Sequence, residues 1–182
     1  MEENIDKLRY PVGKFQQPEQ IDQSQISQWI DILEAFPERL EDEVGHISDT
    51  ELERRYRPGG WTIRQVVHHC ADSHMNSWIR FKLALTEETP TIKPYFEDRW
   101  AELPDTKDFP IASSLQVLTG LHARWVYLLR SLSDGDWDKE FKHPETGRLI
   151  SLKTNLGIYA WHCEHHLAHV RNAKEHKPGS SR

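Results

Sequence analysis

Thr62-Ile63-Arg64-Gln65-Val66-Val67-His68-His69-Cys70-Ala71-Asp72-Ser73-His74-Met75-Asn76-Ser77-Trp78-Ile79-Arg80-Phe81-Lys82-Leu83-Ala84-Leu85-Thr86 reads as one uninterrupted helix. Its start is marked by Thr62 with Gln65 three residues on, the form of a capping box. At helical spacing Ile63, Val66, Val67, Cys70, Trp78, Phe81 and Leu85 fall within one arc of about 100°, a face that must pack against other helices. Gln65, His69, Asn76 and Arg80 form a second, polar stripe. Polar groups aligned along a bundle helix either meet water or line a cavity.

Outward from this helix the same periodicity recurs. Ile26, Ile30, Leu33, Leu40, Val44 and Ile47 make a helical stripe from Ser24, which Pro37 is expected to kink or divide. Arg57-Pro58-Gly59-Gly60 breaks the chain before the second helix. Residues 87–110 hold four prolines among polar side chains, a long connection with one helical turn expected near Asp98–Leu103. Leu115, Leu118, Leu121, Trp125, Leu128, Leu129 and Leu132 mark a third helix over Ser113–Leu132. Phe141-Lys142-His143 and Leu149-Ile150-Ser151 flank Pro144-Glu145-Thr146-Gly147 as a small hairpin, and a fourth helix runs from Lys153 to Glu175. The expectation is an all-α four-helix bundle with a long crossover and a small β-hairpin before the last helix. Residues 1–20, with Pro11, Gly13 and Pro18, read as an extended N-terminal arm; 21–176 form the single bundle domain, and 177–182 a disordered tail.

Composition narrows the function classes. The 182 residues carry 23 Lys and Arg against 29 Asp and Glu, a net charge of −6. That balance argues against nucleic-acid binding, which rests on basic patches that neutralise phosphates. No apolar run approaches the roughly 18–20 residues of a membrane span, and Met1-Glu2-Glu3-Asn4 lacks the basic and apolar regions of a signal peptide. Two cysteines, Cys70 and Cys163, sit on core phase and cannot build a disulfide framework. A reducing cytoplasm is the expected compartment.

Eleven histidines are the outlier, and seven lie in two windows: His68, His69 and His74, then His162, His165, His166 and His169. Residues four apart lie on one helix face, near enough to chelate one metal ion through imidazole lone pairs. Two such pairs exist in the last helix, His162/His166 and His165/His169. Leu152, Leu156, Tyr159, Cys163 and Val170 centre its apolar face, with His166 beside it and His162 on its flank. His165 and His169 point further toward solvent, so His162/His166 is the better internal pair. On the second helix, phase slightly favours His74 as the inward ligand over His69, and spacing does not settle the choice. Asp72, His74 and Glu164 are the candidates for proton transfer, and Asn76 and Arg80 for orienting a polar or anionic substrate. His46, His122, His143 and His176 require no function.

The run Gly60-Trp61-Thr62-Ile63-Arg64-Gln65-Val66-Val67-His68-His69-Cys70-Ala71-Asp72-Ser73-His74-Met75-Asn76, with Ile79-Arg80-Phe81-Lys82 and Leu85-Thr86-Glu87, resembles the signature of YfiT-like metal-dependent hydrolases in the DinB-like superfamily of four-helix bundles. Tyr159-Ala160-Trp161-His162-Cys163-Glu164-His165-His166-Leu167-Ala168-His169 resembles that family's second histidine motif, and Tyr10-Pro11-Val12-Gly13-Lys14-Phe15 its opening. The resemblance implies one divalent metal per subunit, held by His69, His162 and His166 with the remaining positions open to water, and it implies a homodimer. It departs at His74, where many DinB-like relatives carry Glu, and at Cys70, where an aliphatic residue is usual.

Three neutral imidazoles with open positions make a catalytic rather than a closed structural site. Such a centre, with Zn²⁺ favoured by availability and Ni²⁺ second, can activate a metal-bound water for hydrolysis of a small-molecule substrate. The same ligands would serve a bacillithiol-type thiol S-transferase, related to the superfamily's low-molecular-weight thiol S-transferases, by activating a thiolate. A bundle that binds metal or a small ligand without turnover is the reading of a different class.

Overall fold

The computed structural model describes residues 2–175, with side chains from residue 5 onward. In chain order the elements are α1 (Glu2–Arg9), α2 (Gln23–Val44), α3 (Asp49–Leu52), α4 (Ile63–Thr86), α5 (Glu97–Trp100), α6 (Pro104–Lys107), α7 (Ala112–Arg130), α8 (Asp134–Trp137), β1 (Glu140–Lys142), β2 (Leu149–Ser151) and α9 (Leu152–Glu175). Four long helices carry the fold: α2 packs on α7 and α9, and α4 packs on the same two. Between them lies one contiguous core that includes Leu33, Phe36, Phe81, Leu118, Trp125, Phe141, Leu156 and Leu167. Each such side chain contributes about 1.5–3 kcal/mol by leaving water. The all-α bundle with its long crossover and hairpin is the architecture expected.

Local chemistry explains the boundaries. Thr62 accepts from the Gln65 backbone N–H at 3.1 Å while Gln65 Oε1 accepts from the Thr62 N–H at 3.0 Å, so the capping box starts α4 where its residues predict. Asp22 caps α2 through the Gln25 N–H at 2.8 Å. The strands pair antiparallel, with Phe141 opposite Ile150, and Gly147 takes a φ of +68° in the turn between them, a conformation that favours glycine. Among the described residues no helix is long and apolar enough to cross a membrane.

Four expectations need correction. Residues 1–20 are not an extended arm throughout: Glu2–Arg9 is helical, because Pro11, Gly13 and Pro18 all fall after its end and Lys7 and Arg9 suit its C-terminal dipole. Pro37 does not divide α2, which runs unbroken past it. The crossover holds two short helices, α5 and α6, rather than one turn. His165 and His169 do not face solvent: they are buried, because residues 9–13 and Tyr56 fold over them. The tail at 177–182 lies outside the described residues.

Candidate metal centre

Helices α4 and α9 meet where their histidines face each other. One ring nitrogen from each of His69, His162 and His166 lies within 4.8 Å of the others, and His69 Nε2 is 3.2 Å from His162 Nε2. Nitrogens bound tetrahedrally to zinc at about 2.0–2.1 Å are about 3.3–3.4 Å apart. The His69/His162 separation is close to that, and a His166 nitrogen lies within 4.8 Å of both. Burial holds all three rings neutral: His69 is pushed down to about 3, chiefly by desolvation and then by His165, and His162 and His166 fall well below the usual histidine value. Neutral nitrogen donors without a buried counter-charge fit a divalent cation.

Hydrogen bonds decide which nitrogen each ring presents. The Arg9 carbonyl can only accept, so His169 Nε2, 3.2 Å away, carries its hydrogen. A neutral His169 then offers Nδ1 as an acceptor to His166 Nδ1–H at 3.4 Å, which leaves Nε2 of His166 with a free lone pair. Around this centre His169 stacks on Tyr56 with centroids 3.8 Å apart, His165 stacks on Trp161 at 4.4 Å, and Trp161 Nε1 donates to the Gly13 carbonyl at 3.0 Å. The N-terminal segment is thereby part of the site wall.

The three histidines open into a cavity of about 450 Å³, also lined by Arg9, Arg57, Arg80, Glu97, Asp98 and Tyr159. Arg80 reaches it as the polar stripe of α4 predicts, and its Nε is buried without a hydrogen-bond partner among the described residues. Asn76 does not line it and donates to the Asp72 carbonyl of its own helix at 2.9 Å. Asp72 is also off the cavity, half-buried, with its carboxyl raised to about 6 by desolvation and by Asp105. Glu164 turns to α2, where Arg39 forms an ion pair with it. His74 lies behind His162, with both ring nitrogens engaged by other histidines. Of the five residues proposed for proton transfer or substrate contact, only Arg80 lines the cavity.

Arg9, Arg57, Glu97 and Asp98 escaped sequence reasoning because α1, the loop before α4 and the short helix α5 bring them to the cavity. His122 escaped it too, although it lies in phase with Leu118, Trp125 and Leu129 on the buried stripe of α7. That phase was the available signal, since a histidine held among core residues needs partners for both nitrogens.

A helical bundle with histidines of two facing helices converging in its interior defines the class, and comparison with known families agrees. The DinB superfamily pattern matches residues 32–170, and the chain belongs to that superfamily. Over 163 residues it is 50 % identical to a Bacillus subtilis protein named "Putative metal-dependent hydrolase YfiT", covering 90 % of this chain and 92 % of the relative. A Bacillus mycoides protein (strain KBAB4), also named a "Putative metal-dependent hydrolase", is 51 % identical over 168 residues, 92 % of this chain and 96 % of its own. The solved structure of Bacillus subtilis YfiT, described as "a probable metal-dependent hydrolase with an unusual four-helix bundle topology", superposes with a TM-score of 0.90 at 48 % identity, covering 93 % of this chain and 97 % of that one.

Proposed function

We propose that the chain is a metal-dependent hydrolase of small molecules that holds one divalent cation, Zn²⁺ before Ni²⁺, on His69, His162 and His166. The observation that carries this reading is the convergence of three neutral ring nitrogens at the wall of a cavity large enough for a small substrate. A divalent cation bound by three imidazoles supplies a Lewis acid that makes water a nucleophile near neutral pH. Arg80, with its unpartnered Nε, binds a polar or anionic part of the substrate. Glu97 and Asp98 replace Asp72 and Glu164 as the carboxylates positioned to move a proton, because they line the cavity. His74 is withdrawn from that role, since neither of its nitrogens is free.

The test is to purify the protein without an affinity tag, measure metal per chain, and repeat with a His162→Ala, His166→Ala double variant. About one equivalent in the native protein and its loss in the variant are expected; no stoichiometric metal in the native protein overturns the reading. A substrate panel of esters, amides and phosphoesters, run with and without a low-molecular-weight thiol, then separates the chemistries. Turnover without thiol supports hydrolysis. Turnover only with thiol assigns the site to S-transfer, and metal retention with no turnover in either arm leaves a binding protein.

A further inference from the structure

The sequence leaves His122 without a function and gives Pro37 no reason to stand inside a helix. The structure joins the two. Proline has no N–H, so the carbonyl four residues earlier in α2, that of Leu33, loses its helical hydrogen bond. Leu33 is fully buried, where water cannot replace that bond. His122 Nδ1, from α7, approaches the Leu33 carbonyl to 2.6 Å and takes the place of the missing donor.

From that carbonyl a direction propagates. A carbonyl only accepts, so His122 carries its hydrogen on Nδ1. A neutral imidazole has a single N–H, so His122 Nε2 accepts, and His74 Nδ1, 2.7 Å away, donates to it. His74 Nε2 must then accept, and His162 Nδ1 donates to it at 3.0 Å. His162 is left with no hydrogen on Nε2, the nitrogen that faces His69. The rings of His74 and His122 are at most 1 % exposed and are walled by Phe36 and Trp125, so an imidazolium within the series would be desolvated beside other imidazoles.

We infer that His122 and His74 are positioning residues that lock His162 in the tautomer presenting Nε2 as a metal ligand, and that the Leu33 carbonyl released by Pro37 anchors this lock. The inference rests on the reading of His162 as a ligand, but the tautomer itself is a property of the metal-free protein. Loss of such outer hydrogen bonds typically costs about 10–100-fold in metal affinity.

Two measurements test it. Nitrogen-15 imidazole spectra of the metal-free protein report which nitrogen of His162 is protonated; the hydrogen is expected on Nδ1, and a hydrogen on Nε2 overturns the proposal with no variant required. Zinc affinity, measured by chelator competition, is expected to fall at least tenfold in His122→Phe, which keeps the aromatic volume but removes both nitrogens. His122→Gln, whose amide can both donate to Leu33 and accept from His74, is expected to recover part of the loss. Equal affinities in wild type and His122→Phe, with both folded by circular dichroism, overturn the lock. A wild-type protein that binds no zinc or nickel overturns the proposed function, while the His162 spectrum still decides the tautomer by itself.

Discussion

Gly157 marks a close approach of α9 to α2 that can be tested directly. It lies in α9, one turn and a half before His162, and faces Trp29 of α2. A Cβ built on Gly157 would stand 2.8 Å from Trp29 Cη2 and 3.0 Å from both Cζ2 and Cζ3. Two effects of opposite sign compete in Gly157→Ala. Alanine gains about 1 kcal/mol of helix propensity over glycine. Overpacking a filled core costs typically 1–3 kcal/mol, and here the clash is with three atoms of a rigid, buried indole rather than the end of a flexible chain. The steric term therefore wins, with a net loss of up to about 2 kcal/mol. For a chain of this size that lowers Tm by up to about 8 °C, at roughly 2–4 °C per kcal/mol. Thermal unfolding followed by circular dichroism measures it, and a double-mutant cycle with Trp29→Phe assigns the cause. Residues in contact are non-additive, so the alanine is expected to cost at least 1 kcal/mol less beside phenylalanine, taking the low end of the overpacking range. A rise in Tm for Gly157→Ala, or strict additivity in the cycle, refutes the packing argument.

Acid should destabilise the metal-free protein in a defined window. His122 is held at about 4 by burial against roughly 6.5 in an unfolded chain, so only the unfolded state gains the proton in between. Stability is complete above about pH 6.5 and falls toward pH 4, by up to about 3 kcal/mol from this side chain; His122→Gln should flatten the dependence of the urea midpoint on pH between 7 and 5, and an unchanged slope contradicts the assignment. Asp72 has the opposite sign. Its raised carboxyl, at about 6, is favoured in the protonated form, so its stabilisation is present below about pH 3.8 and is lost as pH rises to 6. Asp72→Asn should therefore raise stability at pH 8 by about 1 kcal/mol, after discounting for its partial exposure, and by nothing at pH 4. Glu164→Gln breaks the half-exposed pair with Arg39 and should cost about 0.5–1 kcal/mol with metal content unchanged; loss of metal would return Glu164 to the site.

What the sequence made legible were the features set by neighbours along the chain. The stripe of Ile63, Val66, Val67 and Phe81 predicts the buried face of α4, and Thr62 with Gln65 predicts its start. Phase picks out His162 and His166, whose nitrogens converge with that of His69. On the second helix it leans to His74 for a physical reason: phase reports burial, and His74 is the more buried of the two, at 0 % against 4 % for His69. Which histidine meets those of α9 depends instead on where α9 crosses α4, which no periodicity within α4 encodes. His165 and His169 look solvent-facing because their cover comes from Tyr56 and from residues near Tyr10, more than a hundred positions away. Pro37 reads as a break because its missing hydrogen bond is visible locally, whereas the donor that replaces it, His122, stands 89 positions away from Leu33.

Histidine is the side chain suited to the space behind this centre. A carboxylate there could also accept from His162 Nδ1, but as a buried anion it would need a cation or several donors, and the rings packed on His74 include Phe36, Trp125, Tyr159 and His162. A neutral imidazole accepts on one side and donates on the other, so it passes hydrogen-bond direction across the core with no net charge. Two consequences follow together. The metal-free bundle avoids the cost of burying ions, so it should fold near neutral pH without a cation, and a bound cation should only add to that stability. A divalent ion held only by neutral rings would also keep its full positive charge, which strengthens it as a Lewis acid and leaves Glu97 and Asp98 as the acidic groups on the cavity wall. His74→Glu separates the two effects: zinc affinity by chelator competition should rise, while urea unfolding of the metal-free protein should show lower stability above the range in which the carboxyl ionises.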